Sequence, residues 1–330
     1  MLHFVFESAI LNININSDFV FEIAVTVTTI LLLQQLVETA ACKKAKDAAH
    51  LTEQTPAPIL KRTQLLCGYF VFIVLIIAIF TFIFTPEMHY GFLSAISVLM
   101  IACPCAITAA IQIAILSGIG CIEKSGILIN NATCLERLEK VTMLIVDEAS
   151  TTGQSTLLAL KLLQEQGIHI VLVTRDNFTA AKNIADNLGI VTIETETSPQ
   201  QKYEIAKRLQ QQGFVVAITT NNTNNTGMSL EVDTDIDNKN SSIRIAKNDL
   251  LEIVRAHQLS KKVMSKIRQN LFFTFMYNLI CIPLAAGAFY FWTGLVFNPI
   301  LAAILMFSCS ILIMINALRL QNMNFTTLQY

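Results

Sequence analysis

Two cysteines flank a proline at Cys103-Pro104-Cys105, inside the apolar run SVLMIACPCAIT. Proline within a helix removes one backbone hydrogen bond and clashes with the carbonyl four residues back, here that of Met100. In a bilayer the freed carbonyl must be satisfied by protein, water or an ion. Residues two apart on a regular helix point to nearly opposite faces, and a kink at the intervening proline can turn both thiols toward one site. Thiolates favour soft ions, Cu(I) first among them. The competing reading of the tripeptide is two small apolar residues beside a packing kink.

Other polar groups in apolar runs could join such a site. They are Tyr277 and Asn278, then Met306, Ser308, Cys309 and Ser310. Met306 and Cys309 are i,i+3, and Met306 and Ser310 are i,i+4, so these three share a helix face. Taken singly, a Met or Ser in an apolar helix is usually packing. Glu22 is ionisable within an apolar stretch, which points to function unless it lies near the outer interface.

The elements that must position these residues follow from composition. Of 330 residues, 53% belong to the hydrophobic set and 14% are charged, against about 25% charged in a soluble domain. Mean hydropathy is +0.55. A disordered chain is excluded, and a wholly soluble one is disfavoured. The net charge of −1 offers no basic surface for nucleic acid. Eight irregularly spaced cysteines do not make a small secreted disulfide framework. Met1 to Asp18, without a basic start and dotted with Asn12, Asn14 and Asn16, does not read as a signal peptide.

Five stretches are long enough to cross a bilayer, which takes about 20 residues: 19–41, 66–85, 92–119, 271–291 and 296–317. Basic residues set the orientation. Lys43, Lys44, Lys46, Lys61 and Arg62 lie between the first two spans, Arg319 follows the last, and the loops at 86–91 and 292–295 hold no Lys or Arg. The intervening soluble segment and the C-terminus therefore face the cytoplasm, and the N-terminus lies outside. The expected layout is an extracytoplasmic segment 1–18, span 19–41, cytoplasmic linker 42–65, spans 66–119 with the Cys-Pro-Cys, cytoplasmic domain 120–269, spans 270–318 and cytoplasmic tail 319–330.

The soluble segment alternates strand and helix. Strands are predicted at 141–147, 168–174, 190–194 and 214–220, and helices at 156–166, 178–187 and 199–212. This alternation predicts a parallel α/β sheet with helices on both faces. Ligands of such sheets bind at the carboxyl ends of the strands, which here carry Asp147, Thr174 to Asp176, and Thr219 to Asn225.

Taken together, these motifs resemble the heavy-metal class of P-type ATPases, specifically the Cu(I) exporters. SVLMIACPCAI through GILINNATCLERLEKVTMLIVD is similar to the family's helix leading to its phosphorylation strand. NLFFTFMYNLICIPLAAGAFYFWTG and ILMFSCSILIMINALRL are similar to its last two helices, and VFE near the start resembles its aromatic-aromatic-Glu. The resemblance implies an α-helical multi-pass membrane protein with a cytoplasmic HAD-like (haloacid-dehalogenase-like, Rossmann-type) domain inserted between spans three and four. It implies Cu(I) or Ag(I) at Cys103, Cys105, Tyr277, Asn278, Met306 and Ser310, with Glu22 near the metal's way in. Cys309 stands where the family's Met-x-x-Ser-Ser has its first serine, which makes the site softer. Gln64 stands where an acidic residue is expected.

The soluble part departs from the family. Asp-Lys-Thr-Gly-Thr reads Asp147-Glu148-Ala149-Ser150-Thr151, Thr-Gly-Asp reads Thr174-Arg175-Asp176, and Gly-Asp-Gly-x-Asn-Asp reads Thr220-Asn221-Asn222-Thr223-Asn224-Asn225. A carboxylate replaces a cation beside Asp147, where phosphoryl transfer wants positive charge. Two Mg²⁺-type carboxylates become amides. Lys202 matches the family's phosphate-neutralising lysine. A nucleotide-binding domain is missing after Thr151, and only a short linker stands where an actuator domain is expected. The resemblance would also place helices before Glu22 and an N-terminal Cys-x-x-Cys metal domain, and neither is expected from this sequence.

The expectation is a pseudo-enzyme that keeps a membrane Cu(I) site but does not bind Mg²⁺ and ATP productively, with Asp147, Asp176 and Lys202 as a vestigial phosphorylation site. Membrane lipid, monovalent copper, and a full-length copper ATPase or copper chaperone are the expected partners. The location would be the plasma (inner) membrane of a bacterium, or an internal membrane otherwise. Two alternatives stay open: an active minimal ATPase or HAD phosphatase using Asp147, and a metal-free membrane subunit.

Overall fold

The computed structural model describes residues 17–47, 58–85, 88–102, 105–124, 126–129, 131–148, 151, 155–175, 177–195, 197–221, 228–232, 242–245, 249–288 and 298–322. The chain divides into two compact units. One comprises Met1–Ala45, Leu60–Ala114 and Lys266–Arg319, the other Lys46–Ile59, Ile115–Ser265 and Leu320–Tyr330.

The first unit is helical. It is built from α1 (Ser17–Asp47), α2 (Pro58–Phe84), α3 (Met88–Ile101), the start of α4 (Cys105–Glu123), the second half of α9 (Leu250–Ala285) and α10 (Pro299–Leu318). The cause is apolar length. In lipid every backbone N–H and C=O must be satisfied within the chain, which a helix does locally. Phe21–Asp47, Pro58–Phe84 and Pro299–Leu318 are each long and apolar enough to span a membrane. Their outward faces carry Leu32, Leu36, Phe72, Ile76, Phe80, Ile83, Ile304 and Leu312, all exposed. A monomer in water rarely shows apolar surface on that scale; a lipid-facing bundle must. The interior is a cluster of Val74, Ala78, Val98, Ile101, Ala102, Cys281, Ile282, Ala285 and Ala302.

Several predicted boundaries shift for local reasons. The stretch 92–119 is two helices, not one, because Pro104 lacks the donor to continue the ladder. The last turn of α3 closes with Ala102 N–H donating to Val98 at 3.2 Å. α1 and α2 run into the stretch 42–65, with Pro58 opening α2, where its missing N–H costs nothing. α9 has 36 residues, about 54 Å at 1.5 Å each, far more than a bilayer core of roughly 30 Å. Its first half, through Ser265, accordingly belongs to the other unit. α10 starts at its Asn298 cap, whose side chain accepts from Ile300 N–H at 3.0 Å.

The second unit is a seven-stranded sheet in the order β1-β7-β6-β5-β2-β3-β4. The strands are β1 (Ile127–Ile129), β2 (Met143–Asp147), β3 (His169–Val173), β4 (Thr192–Glu194), β5 (Val216–Asn221), β6 (Met228–Glu231) and β7 (Ser242–Ile245). The half β5-β2-β3-β4 is parallel, with Ile145 opposite Ile218 on one side and Val171 on the other. Helices α6 (Thr156–Glu165), α7 (Phe178–Leu188) and α8 (Pro199–Gln211) make the crossovers. The half β5-β6-β7-β1 is antiparallel, which corrects the expectation of a purely parallel sheet. Parallel neighbours need a crossover of a dozen or more residues; only six separate β5 from β6.

Leu144, Ile145, Val146, Leu172, Ala217 and Ile218 form the sheet's buried centre. Ala206 of α8 packs on one face against Ile145, Val171 and Ile218. Ala159, Leu160 and Leu163 of α6 and Ala181 and Ala185 of α7 are also buried. Another small helix, α5 (Ala132–Glu139), is capped by Asn131, which accepts from Thr133 N–H.

Candidate functional site

Asp147 ends β2, at the carboxyl edge of the parallel half-sheet. Its N–H donates to Thr219 Oγ1 at 3.2 Å, and that hydroxyl donates to Ile145 C=O at 3.2 Å, which ties β2 to β5. Lys202 reaches the same edge from the first turn of α8. That helix is started by a capping box: Ser198 accepts from Gln201 N–H, Gln201 accepts from Ser198 N–H, and Pro199 takes the first helical position. The cap fixes the turn that aims Lys202.

Lys202 Nζ donates to Asp147 Oδ2 at 2.5 Å and to Thr219 C=O at 2.5 Å. The lysine is enclosed while Asp147 is about a third exposed. Burial pulls the Lys202 ammonium below its ordinary range, and the hydrogen bond and charge of Asp147, with Glu231 further off, pull it back up. Two acceptors thus occupy the buried Lys202 ammonium.

Glu148 follows directly. Thr174, buried at the end of β3, donates its hydroxyl to Glu148 Oε2 at 2.6 Å. The turn beyond closes with both Thr151 Oγ1 and Thr151 N–H donating to Glu148 C=O, at 2.6 and 2.9 Å. Tyr203, beside Lys202 on α8, donates to Glu231 Oε2 at 3.0 Å. Burial first, then the Glu231 charge, push its phenol up to about 12. Sequence reading named neither Tyr203 nor Glu231. Arg175 is exposed, and Asp176 and the Asn222 to Asn225 run lie outside the described residues. Asn221 closes β5.

In the helical unit the predicted ligands fall on α9 and α10. Asn278, Met306 and Ser310 are buried, and Tyr277 and Cys309 are half-buried. Ser310 Oγ donates to Met306 C=O at 3.0 Å, along its own helix. The two helices are joined by Asn316 Nδ2 donating to Asn270 Oδ1 at 2.5 Å, and Ala285 and Ala302 share the apolar cluster further along. The chain directions of these two contacts make the pair antiparallel. Counting from 270 opposite 316, at 1.5 Å per residue, the stretch 277–281 lies level with about 305–309. Tyr277, Asn278, Met306, Cys309 and Ser310 therefore lie at about one level along the two helices.

Buried Tyr277 Oη and Asn278 Oδ1 have no aligned hydrogen-bond partner, which is costly for a polar atom in an apolar interior unless a ligand supplies one. Cys281, one turn from Tyr277, is buried in the cluster with Ile101 and Ala102; sequence reading passed over it as one Cys in an apolar run. Cys103 lies outside the described residues, as does the side chain of Cys105. Among the described residues no three His, Cys, Asp or Glu side chains gather at metal-binding range. Glu22 is exposed on α1.

No protein-family profile matches the chain. A copper-exporting P-type ATPase of Legionella pneumophila is 27% identical over 82% of this chain and 55% of its own length. A silver-exporting P-type ATPase of Salmonella typhimurium is 27% identical over 82% of this chain and 50% of its own length. A copper-transporting ATPase of Rhizobium meliloti is 34% identical over 54% of this chain and 23% of its own length. The chain thus spans about half the length of the first two. The aligned stretch with the Legionella protein covers 407 residues, more than the 330 of this chain, so that relative carries internal segments with no counterpart here. The crystal structure of a zinc-transporting PIB-type ATPase in the E2.Pi state shares the fold, with a TM-score of 0.62 over 86% of this chain and 66% of that one, at 15% identity. The chain is accordingly a homologue of the heavy-metal P-type ATPases that export copper and silver, and an integral multi-pass membrane protein.

Proposed function

We propose that the chain binds monovalent copper, or silver, at a membrane site of Cys103, Cys105, Tyr277, Asn278, Met306, Cys309 and Ser310, with Glu22 near the way in, and that it does not carry out ATP-driven transport. The single observation that carries the second half is the Thr174 to Glu148 hydrogen bond of 2.6 Å. The resemblance makes Thr174 the first residue of the Thr-Gly-Asp motif and expects a lysine at 148. Here a carboxylate of this chain takes the hydroxyl, and it adds negative charge where phosphoryl transfer relies on cations.

The donors do not fit Mg²⁺ either. That ion is held through carboxylates, yet Asp147 is paired with Lys202 at 2.5 Å, and the last β5 residue is Asn221 rather than an acid. No step through Mg²⁺ or ATP follows from this geometry. The membrane half of the proposal is supported by the soft donors and unpartnered polar atoms of the α9–α10 seam. In the same reading there are five spans, the sheet domain lies between the third and fourth on the cytoplasmic side, and in a bacterium the membrane is the inner one.

The intact Lys202 to Asp147 pair favours a second reading, an active enzyme that uses Asp147 as nucleophile. Steady-state phosphate release decides between them. Purified full chain with ATP, Mg²⁺ and Cu(I) is expected to release phosphate at the rate of its Asp147→Asn variant. Release that is stimulated by Cu(I) and abolished in that variant would establish the active enzyme instead.

A further inference from the structure

We infer that the ends of α1 and α2 joined by the segment 48–57 form a binding surface for anionic phospholipid, made by Lys43, Lys44 and Lys46 on α1 and by Lys61 and Arg62 on α2. The inference goes beyond the copper reading and does not rest on it.

Position along the helices supports it first. The apolar stretches Phe21–Asp47 and Pro58–Phe84 have 27 residues each, about 40 Å at 1.5 Å per residue. The hydrocarbon core takes roughly 30 Å of that, and the headgroup layers bring the whole to about 40–45 Å. In α2 the run Leu65–Phe84 holds no charged residue. It fills the core and leaves Lys61 and Arg62 about 5 Å beyond its edge. In α1, Phe21–Ala41 covers the same depth, and Lys43 follows about 3 Å further on. Every Lys and Arg between 17 and 85 falls at these two joined ends.

The direction in which the cations face is the second observation. All five are exposed, whereas Ala41 and Ala45 of α1 and Leu60, Thr63 and Cys67 of α2 turn inward. Lys43 is i,i+7 from Leu36, Lys61 is i,i+4 from Leu65, and Arg62 is i,i+4 from Leu66, so each stands above an exposed leucine on its own helix face. The cations therefore continue the lipid-facing sides of both helices, where a soluble acidic segment would have to share the surface with acyl chains.

Charge is the third. Between 43 and 62 five basic residues meet two acidic ones, Asp47 and Glu53. Among the described residues, none of the five stands in an ion pair. Lys61 and Arg62 also lie at the start of α2, where the helix dipole adds positive charge and the first turn holds no acid. Glu136 accepts from Ile59 N–H there at 2.7 Å, but its charge is already matched by Lys140 at 2.9 Å. Lipid phosphate suits this set, because Arg grips it through two parallel hydrogen bonds and Lys meets it as a point charge on a flexible stem. A zwitterionic headgroup offsets its phosphate with its own cation, and an anionic one does not.

The test reconstitutes the full chain in phosphatidylcholine vesicles with a trace of spin-labelled phosphatidylglycerol or spin-labelled phosphatidylcholine. Electron paramagnetic resonance reads the share of label immobilised on the protein. Both leaflets have the same composition, so the reading does not depend on the direction of insertion. The anionic label is expected to be favoured at least about threefold at roughly 20 mM salt and to approach parity at about 1 M, because salt screens surface charge. Lys43→Gln/Lys44→Gln/Lys46→Gln/Lys61→Gln/Arg62→Gln is expected to lose the preference. Lys43→Arg/Lys44→Arg/Lys46→Arg/Lys61→Arg/Arg62→Lys is expected to keep it, which separates charge from a folding defect. Lys161→Gln/Lys182→Gln/Lys207→Gln, which changes three exposed residues of the sheet unit, is expected to leave it unchanged. No preference in the unsubstituted chain, a preference that survives high salt or the five-glutamine change, or its loss in the sheet-unit variant would overturn the inference. Displacement of the label by soluble polyglutamate would assign the surface to an acidic protein segment and overturn it as well.

Discussion

At the scale of single residues, the site at the end of β2 is defined by which acceptor each donor holds. Lys202 is buried and divided between Asp147 and a backbone carbonyl, and Thr174 is given to Glu148. Removing one partner of an enclosed ion pair leaves the other uncompensated, whereas removing both can cost little. Asp147→Asn is thus expected to destabilise the folded chain by about 1–3 kcal/mol. The double variant with Lys202→Met should cost less than the sum of the singles, with a coupling of at least about 0.5 kcal/mol. Thermal unfolding of the four chains in detergent checks this; strict additivity would mean the pair is solvent-screened.

Asp147, Lys202 and Thr174 were legible in the sequence because strand and helix periodicity put them at strand ends or in a first helical turn. The Glu148 to Thr174 bond was not, since it joins residues 26 apart through a sheet register that no local pattern encodes. Cys281 was hidden for a different reason. Its type is ordinary in an apolar run, and only the folded packing shows it buried in the cluster with Ile101 and Ala102.

At the scale of elements, α9 does two jobs. Its first half is docked within the sheet unit by polar and close-packed contacts. Ser260 Oγ donates to Leu135 C=O. His257 Nδ1 lies 2.6 Å from Gln166 Oε1 at the end of α6. A side chain at Gly118 would place its Cβ 2.5 Å from Val263, so α4 approaches α9 only as glycine. Burial, and then the nearby Lys261 charge, lower His257 to about 4, against a backbone hydrogen bond to Glu139 that raises it.

The sign of the pH effect follows. Below its ordinary 6.5 the unfolded chain takes up the proton and the folded chain resists it, down to about 4. The contribution is intact above 6.5 and lost as pH falls through that window. The unfolding midpoint is expected to drop between pH 7 and pH 5, and to drop less in His257→Gln. Equal pH slopes in the two chains would contradict it.

Element-level legibility was uneven. The parallel half-sheet was readable because long apolar strands alternate with amphipathic helices. The antiparallel half was not, because β1, β6 and β7 have only three or four residues each, too few to show alternation. The kink expected from Pro104 falls between two helices, since α3 ends at Ile101 and α4 begins at Cys105.

At the scale of the whole molecule, the chain combines an apolar bundle and a seven-stranded α/β unit, related to exporters about twice its length. Hydropathy alone made the membrane part legible, since apolar length has few other uses. The departures from the resembled motifs were visible in the sequence, and the geometry adds that the residues standing there are engaged: Thr174 donates to Glu148, and Lys202 donates to Asp147.

The central claim is that this arrangement keeps Asp147 from accepting a phosphoryl group while the membrane site still takes copper. The most direct measurement is incubation of the detergent-purified chain with γ-labelled ATP, Mg²⁺ and Cu(I), followed by acid quench and detection of label on the protein. The account predicts no acid-stable label above that of Asp147→Asn. A Cu(I)-dependent label that disappears in Asp147→Asn would show that the substituted edge still performs the transfer, and would contradict it.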